Sequence, residues 1–101
     1  MASDSDDTVK ARVMAELHIR QAYAHLRGGF VVIDQLAIDL NPAAPGTMAS
    51  LIREVALDDD SPVEFYNPPD RSAVQLPSDG REAAQAWIEQ HDPDELPFGM
   101  R

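Results

Sequence analysis

The stretch "IDQLAIDLNPAAPGTMASLIREVALDDDSP" constrains this chain more than any other. Ile33, Leu36, Ala37 and Leu40 recur at i, i+3, i+4 and i+7, the spacing of one helical face, and Asp34 offers a cap at its start. Asn41-Pro42 closes that helix, because proline lacks a backbone donor and disfavours helical geometry in the residue before it. The loop that follows is short and stiffened by a second proline. Thr47 is then the natural N-cap of another helix, with Met48, Leu51, Ile52, Val55 and Leu57 as its buried face. Two short helices, near 34–40 and 47–57, are therefore expected to meet at a tight turn.

The flanks extend this unit. Val9, Val13, Leu17, Ile19, Tyr23, Ala24 and Leu26 recur mostly at three- and four-residue spacing, which predicts a long amphipathic helix over 8–27, capped by Asp7 or Thr8. Gly28 is placed to end it in the left-handed conformation. Phe30 to Ile33 reads as a short apolar strand leading into the next helix. After the third helix, "VEFY" and "SAVQL" bracket the turn "NPPDR", so a β-hairpin pairing 63–66 with 73–76 is the simplest expectation. Ser78 can cap a last helix over 79–91, in which Ala83, Ala84, Trp87 and Ile88 share one side. Trp87, Phe65 and Tyr66 are expected to form core beneath the hairpin. Residues 1–7 read as a disordered acidic lead-in and 92–101 as a flexible tail, leaving one domain over 8–91.

Composition narrows the function. With 101 residues there is room for one core, and with no cysteine there is neither a disulfide framework nor a cysteine-based zinc site. His18 and His25 are close to two helical turns apart and need partners from elsewhere to bind a metal, while Asp58, Asp59 and Asp60 point in different directions and read as a solvated turn. There is no nucleophile elbow with a Ser-His-Asp set and no glycine loop for phosphate, so neither an enzyme nor a cofactor is expected. The longest apolar run, Phe30 to Ile33, is far too short to span a membrane, and the acidic N-terminus does not read as an export signal. A cytoplasmic protein is the expectation.

The net charge is −10, with acid concentrated in both tails and in "LDDDSPVEFYNPPD". Lys10, Arg12, Arg20 and Arg27 fall on the first helix and read as a solvated face.

The order helix, strand, helix, tight turn, helix, two-stranded hairpin, helix resembles winged helix-turn-helix transcriptional regulators, most nearly the MarR type. The residues that carry the resemblance are Leu36, Ala37 and Leu40, then Thr47 to Val55, then Asp70, Arg71, Val74, Leu76, Gly80 and Arg81, within a match over roughly 10–90. It implies a mostly α fold with a small β-hairpin, a third helix that reads duplex DNA, and a dimer presenting two such modules. Thr47, Ser50 and Arg53 would then face the major groove, and Arg71, at the hairpin tip, the minor groove. Each also has a plain structural reading. Thr47 as cap, Ser50 as a solvated hydroxyl, Arg53 paired with Glu54 or the aspartate run, and Arg71 paired with Asp70 would fit equally. A second functional class stays open, in which the acidic surface docks on a basic protein partner, for instance by imitating DNA.

Overall fold

The computed structural model describes residues 2–59, 61–66, 71–91 and 93–97. The chain is mostly helical with a small antiparallel sheet. In order it forms α1 (Ala2–Ile19), β1 (Val31–Val32), α2 (Ile33–Leu40), α3 (Pro45–Leu57), β2 (Glu64–Phe65), β3 (Ala73–Gln75), α4 (Gly80–His91) and a single 3₁₀ turn at Pro93–Glu95.

The first helix is displaced toward the N-terminus from its expected span. It starts at Ala2, so residues 2–7, expected as a disordered lead-in, continue the helix backbone. Acidic residues near a helix N-terminus are favoured by the helix dipole. It stops at Ile19, well short of Gly28, because Gln21 takes φ 57 and a Schellman cap forms there. Ala22 N–H donates to the Leu17 carbonyl at 2.8 Å, Gln21 N–H donates to the His18 carbonyl at 3.0 Å, and the Gln21 side-chain amide donates to the same oxygen at 2.9 Å. Gly28 does take the left-handed conformation, at φ 68, but it shapes the following loop instead of ending the helix.

That loop is tied to the sheet. Tyr23 and Leu76 form a parallel bridge, with Ala24 N–H donating to the Leu76 carbonyl at 2.9 Å and Leu76 N–H donating to that of Ala22 at 2.8 Å. Gly29 lies so close to the Tyr23 carbonyl that an added Cβ would sit 1.9 Å from its oxygen.

The expected hairpin forms over 64–65 and 73–75, with Glu64 opposite Gln75 and Phe65 opposite Val74. β1 pairs on the other side of β3, Val31 opposite Val74, so the strand order is β1-β3-β2. The central strand is buried along its length.

The core is aliphatic. Val13, Met14 and Leu17 of α1, Ile33 and Leu36 of α2, Ile52 of α3, Ile88 of α4, and Val74 and Leu76 from the sheet are essentially inaccessible. Some expected core positions fall outside it. Ile19 and Leu57 are each 58% exposed, and Leu51 and Trp87 are only half-buried at the rim. Phe65 packs on the core, whereas Tyr66 is exposed and stacks on Phe30 at 4.0 Å. Residues 93–97, expected in a flexible tail, belong to the fold: the 3₁₀ turn packs on α1 and α4, Leu96 leans on the core and Pro97 is buried. Leu96 and Pro97 are enough to dock a short segment whose backbone proline already restricts.

Candidate nucleic-acid interface

α3 is positioned by the face it buries. Met48, Ala49, Ile52 and Val55 point into the core, so Thr47, Ser50, Arg53 and Glu54 are left on the solvent side. Thr47 and Arg53 are six residues apart, about 9 Å along the axis by helical rise. Three of the four residues singled out in the sequence therefore share one exposed helix face.

Thr47 is not the cap. α3 begins two residues earlier, with Pro45 in its first turn and Ala44 at the N-cap position, where no side chain caps it. Proline's fixed φ suits that first turn and its missing donor costs nothing there. Thr47 thus lies inside the first turn with its side chain exposed. Asp34 likewise falls within the first turn of α2, whose N-cap position is Val32. Ser50 Oγ donates to the Gly46 carbonyl at 3.4 Å, the back-bonding usual for a helical serine.

The fourth residue stands at the hairpin. Arg71 is exposed, its backbone has φ 52, and its guanidinium lies 5.7 Å from the Phe65 ring centroid. Asp70, its sequence-predicted partner, lies outside the described residues. Among the described residues neither Arg53 nor Arg71 makes an ion pair.

The acid near this face is partly engaged. Lys10 of α1 pairs with Asp58 just after α3, beside a cleft of about 180 Å³ lined by Val9, Lys10, Leu51, Glu54, Val55 and Asp58. Glu64 accepts from the Gln75 amide at 2.8 Å. Asp59 is exposed, and Asp60 lies outside the described residues.

The first-helix cations expected to be solvated are in part structural. Lys10 also sits 5.8 Å from the Trp87 ring, and Arg20 reaches Glu16 at 3.0 Å and Asp39 of α2 at 2.7 Å. The hydrogen bond from Arg20, followed by one from Gln35, holds the Asp39 carboxyl below the usual carboxylate range. The sequence held no signal for the Lys10–Asp58 and Arg20–Asp39 pairs, whose members meet only once the helices are packed, whereas Glu16 and Arg20 stand at i, i+4.

Among the described residues no group of three or more acidic or histidine side chains is placed to hold a metal ion, and no helix is long and apolar enough to cross a membrane. Comparison with family models, with curated proteins and with solved structures gives no match.

Proposed function

We propose that this chain is a small winged helix-turn-helix DNA-binding regulator, probing duplex DNA with α3 and with the hairpin as wing. Its main support is the exposed face of α3, where Thr47, Ser50 and Arg53 project beside a helix pair joined by a short turn. Threonine and serine hydroxyls suit phosphate oxygens, and an arginine suits phosphate or a guanine edge. Arg71 adds a second cation at the hairpin, where a wing meets the minor groove. The strand β1, ahead of α2, completes the hairpin sheet in the order β1-β3-β2, which supports reading the hairpin as a wing. So few cations make a weak site, and a dimer acting in the cytoplasm on two half-sites would supply the missing contacts.

A titration of labelled duplex at low ionic strength tests this directly. Wild type is expected to bind, and Arg53→Ala and Arg71→Ala each to weaken binding and to flatten the dependence of log affinity on log salt, each removing about one phosphate or groove contact. Absence of binding to genomic fragments at low salt would falsify it.

A second reading is favoured by one feature of the same face. Glu54 stands beside Arg53, and Leu57 is 58% exposed, a combination better suited to a protein surface than to a phosphate backbone. The chain would then be an acidic adaptor or DNA mimic that docks on a basic protein, with electrostatics speeding the encounter.

A further inference from the structure

The end of the hairpin carries an aromatic ring that the core does not use. Phe65 packs on the core, and the next residue, Tyr66, faces the opposite side of the sheet by strand alternation and is 49% exposed. Its position is held in two ways. The Tyr66 N–H donates to the Ala73 carbonyl at 2.9 Å, which carries the β2–β3 pairing one residue toward the tip, and its ring stacks on Phe30 with centroids 4.0 Å apart and planes at 24°. Val32, opposite Ala73 on that same outer face, is also exposed. An aromatic side chain braced in this way reaches solvent with little freedom left to lose on binding.

The Arg71 guanidinium lies toward the other face, 5.7 Å from the Phe65 ring centroid. A cation and an aromatic hydroxyl therefore flank the end of the hairpin on opposite sides. A hairpin lying in the minor groove has a sugar-phosphate backbone along each flank, because that groove is only about 6 Å wide. We propose that Tyr66 is a DNA-contacting residue of the wing: its hydroxyl donates to a backbone phosphate on one wall of the groove, opposite the wall met by Arg71, and Phe30 is the positioning residue that holds the ring in place. The contact rests on the regulator reading of α3 and the hairpin. Tyrosine hydroxyls are regular donors to phosphate, and this one adds a contact in a chain that has only 8 Lys and Arg. Glu64, on the same face but two residues farther from the tip, is bonded to the Gln75 amide at 2.8 Å.

Fluorescence anisotropy of labelled duplex with the full chain at low ionic strength tests both residues. Tyr66→Phe keeps the ring and its stack and removes only the hydroxyl. It is expected to weaken binding about tenfold, as loss of one hydrogen bond to a charged group does, and to leave the slope of log affinity against log salt unchanged, because no charge is lost. Arg71→Ala, in contrast, flattens that slope. Phe30→Leu should weaken binding of the wild type by a similar factor and have little further effect in the Tyr66→Phe background, since the stack acts through the hydroxyl. Equal losses in both backgrounds would make Phe30 a folding residue and overturn its positioning role. Wild-type affinity in Tyr66→Phe overturns the proposal and leaves the regulator reading standing, whereas a wild type that binds no duplex at low salt overturns both.

Discussion

The Tyr23 hydroxyl lies 2.6 Å from His18 Nδ1, joining the last turn of α1 to the loop that bridges to Leu76. Burial, followed by the nearby Arg81 charge, holds the His18 pKa below its ordinary value of 6.5. A folded imidazole depressed in this way binds its proton less readily than in the unfolded chain, so protonation favours unfolding. Its stabilisation is complete above the unfolded value and is lost as pH falls from there through the lower folded value. Denaturant unfolding of wild type and His18→Gln should therefore diverge with pH. Between about pH 7.5 and pH 5 the wild type is expected to lose more stability than the variant, and parallel curves would show that His18 titrates unperturbed.

Gly29 gives a prediction from backbone packing alone. A Cβ there would meet the Tyr23 carbonyl oxygen at 1.9 Å, and neither atom belongs to a side chain that can rotate away. Gly29→Ala should cost about 1–3 kcal/mol or more, as over-packing does when backbone has to shift. Gly28→Ala, with open space around it, should suffer only the left-handed penalty of about 1–2 kcal/mol. Thermal melts of the two variants should rank Gly29→Ala the lower.

Neighbouring residues of α3 separate core from rim. Ile52 is fully inaccessible, whereas Leu51 lines the cleft beside Lys10 and Asp58. Ile52→Ala should cost about 2–5 kcal/mol and Leu51→Ala about 1 kcal/mol, because a half-exposed leucine has less contact to lose and leaves no closed cavity. Equal losses by chemical denaturation would mean that α3 is rotated about its axis.

How far the sequence discloses this architecture depends on whether a feature is local. The α2–turn–α3 unit was legible because Ile33, Leu36, Ala37, Ile52 and Val55 repeat at helical spacing between prolines, and the hairpin was legible from "NPPDR" between alternating segments. The end of α1 was not. Gln21 adopts a conformation that favours glycine, and it is held there by its own bonds to the His18 carbonyl, by the Ala22 bond to the Leu17 carbonyl and by the Tyr23–Leu76 bridge, a contact distant in sequence. Thr47 misled for a related reason: two helix-start signals stood side by side, and the proline's fixed geometry prevailed over the hydroxyl. Thr47, Ser50, Arg53 and Arg71 were singled out by the resemblance, and all four are exposed, whereas a cleft lined by His18, His25, Ser78 and Arg81 combines segments that become neighbours only in the folded chain.

Glu54 offers the sharpest discrimination between the two functional readings. It shares the exposed side of α3 with Thr47, Ser50 and Arg53, so its carboxylate would be carried toward the phosphates wherever those residues meet DNA. Removing it in Glu54→Gln abolishes one repulsion, and Glu54→Lys replaces that repulsion with an attraction. Under the regulator reading both variants should bind duplex more tightly than wild type, Lys more than Gln, and the Lys variant should steepen the salt dependence by about 0.9 in log-log slope through one added phosphate contact. If α3 instead docks on a basic protein, the same substitutions should slow association with that partner, and the wild type itself should lack DNA affinity even at low salt. The position lies on the surface and away from the core, so neither change should move the melting temperature by more than a few degrees, about what a surface substitution produces. Fluorescence anisotropy with labelled duplex across a salt series measures both quantities, and DNA affinity that is unchanged in Glu54→Lys would remove α3 from the interface.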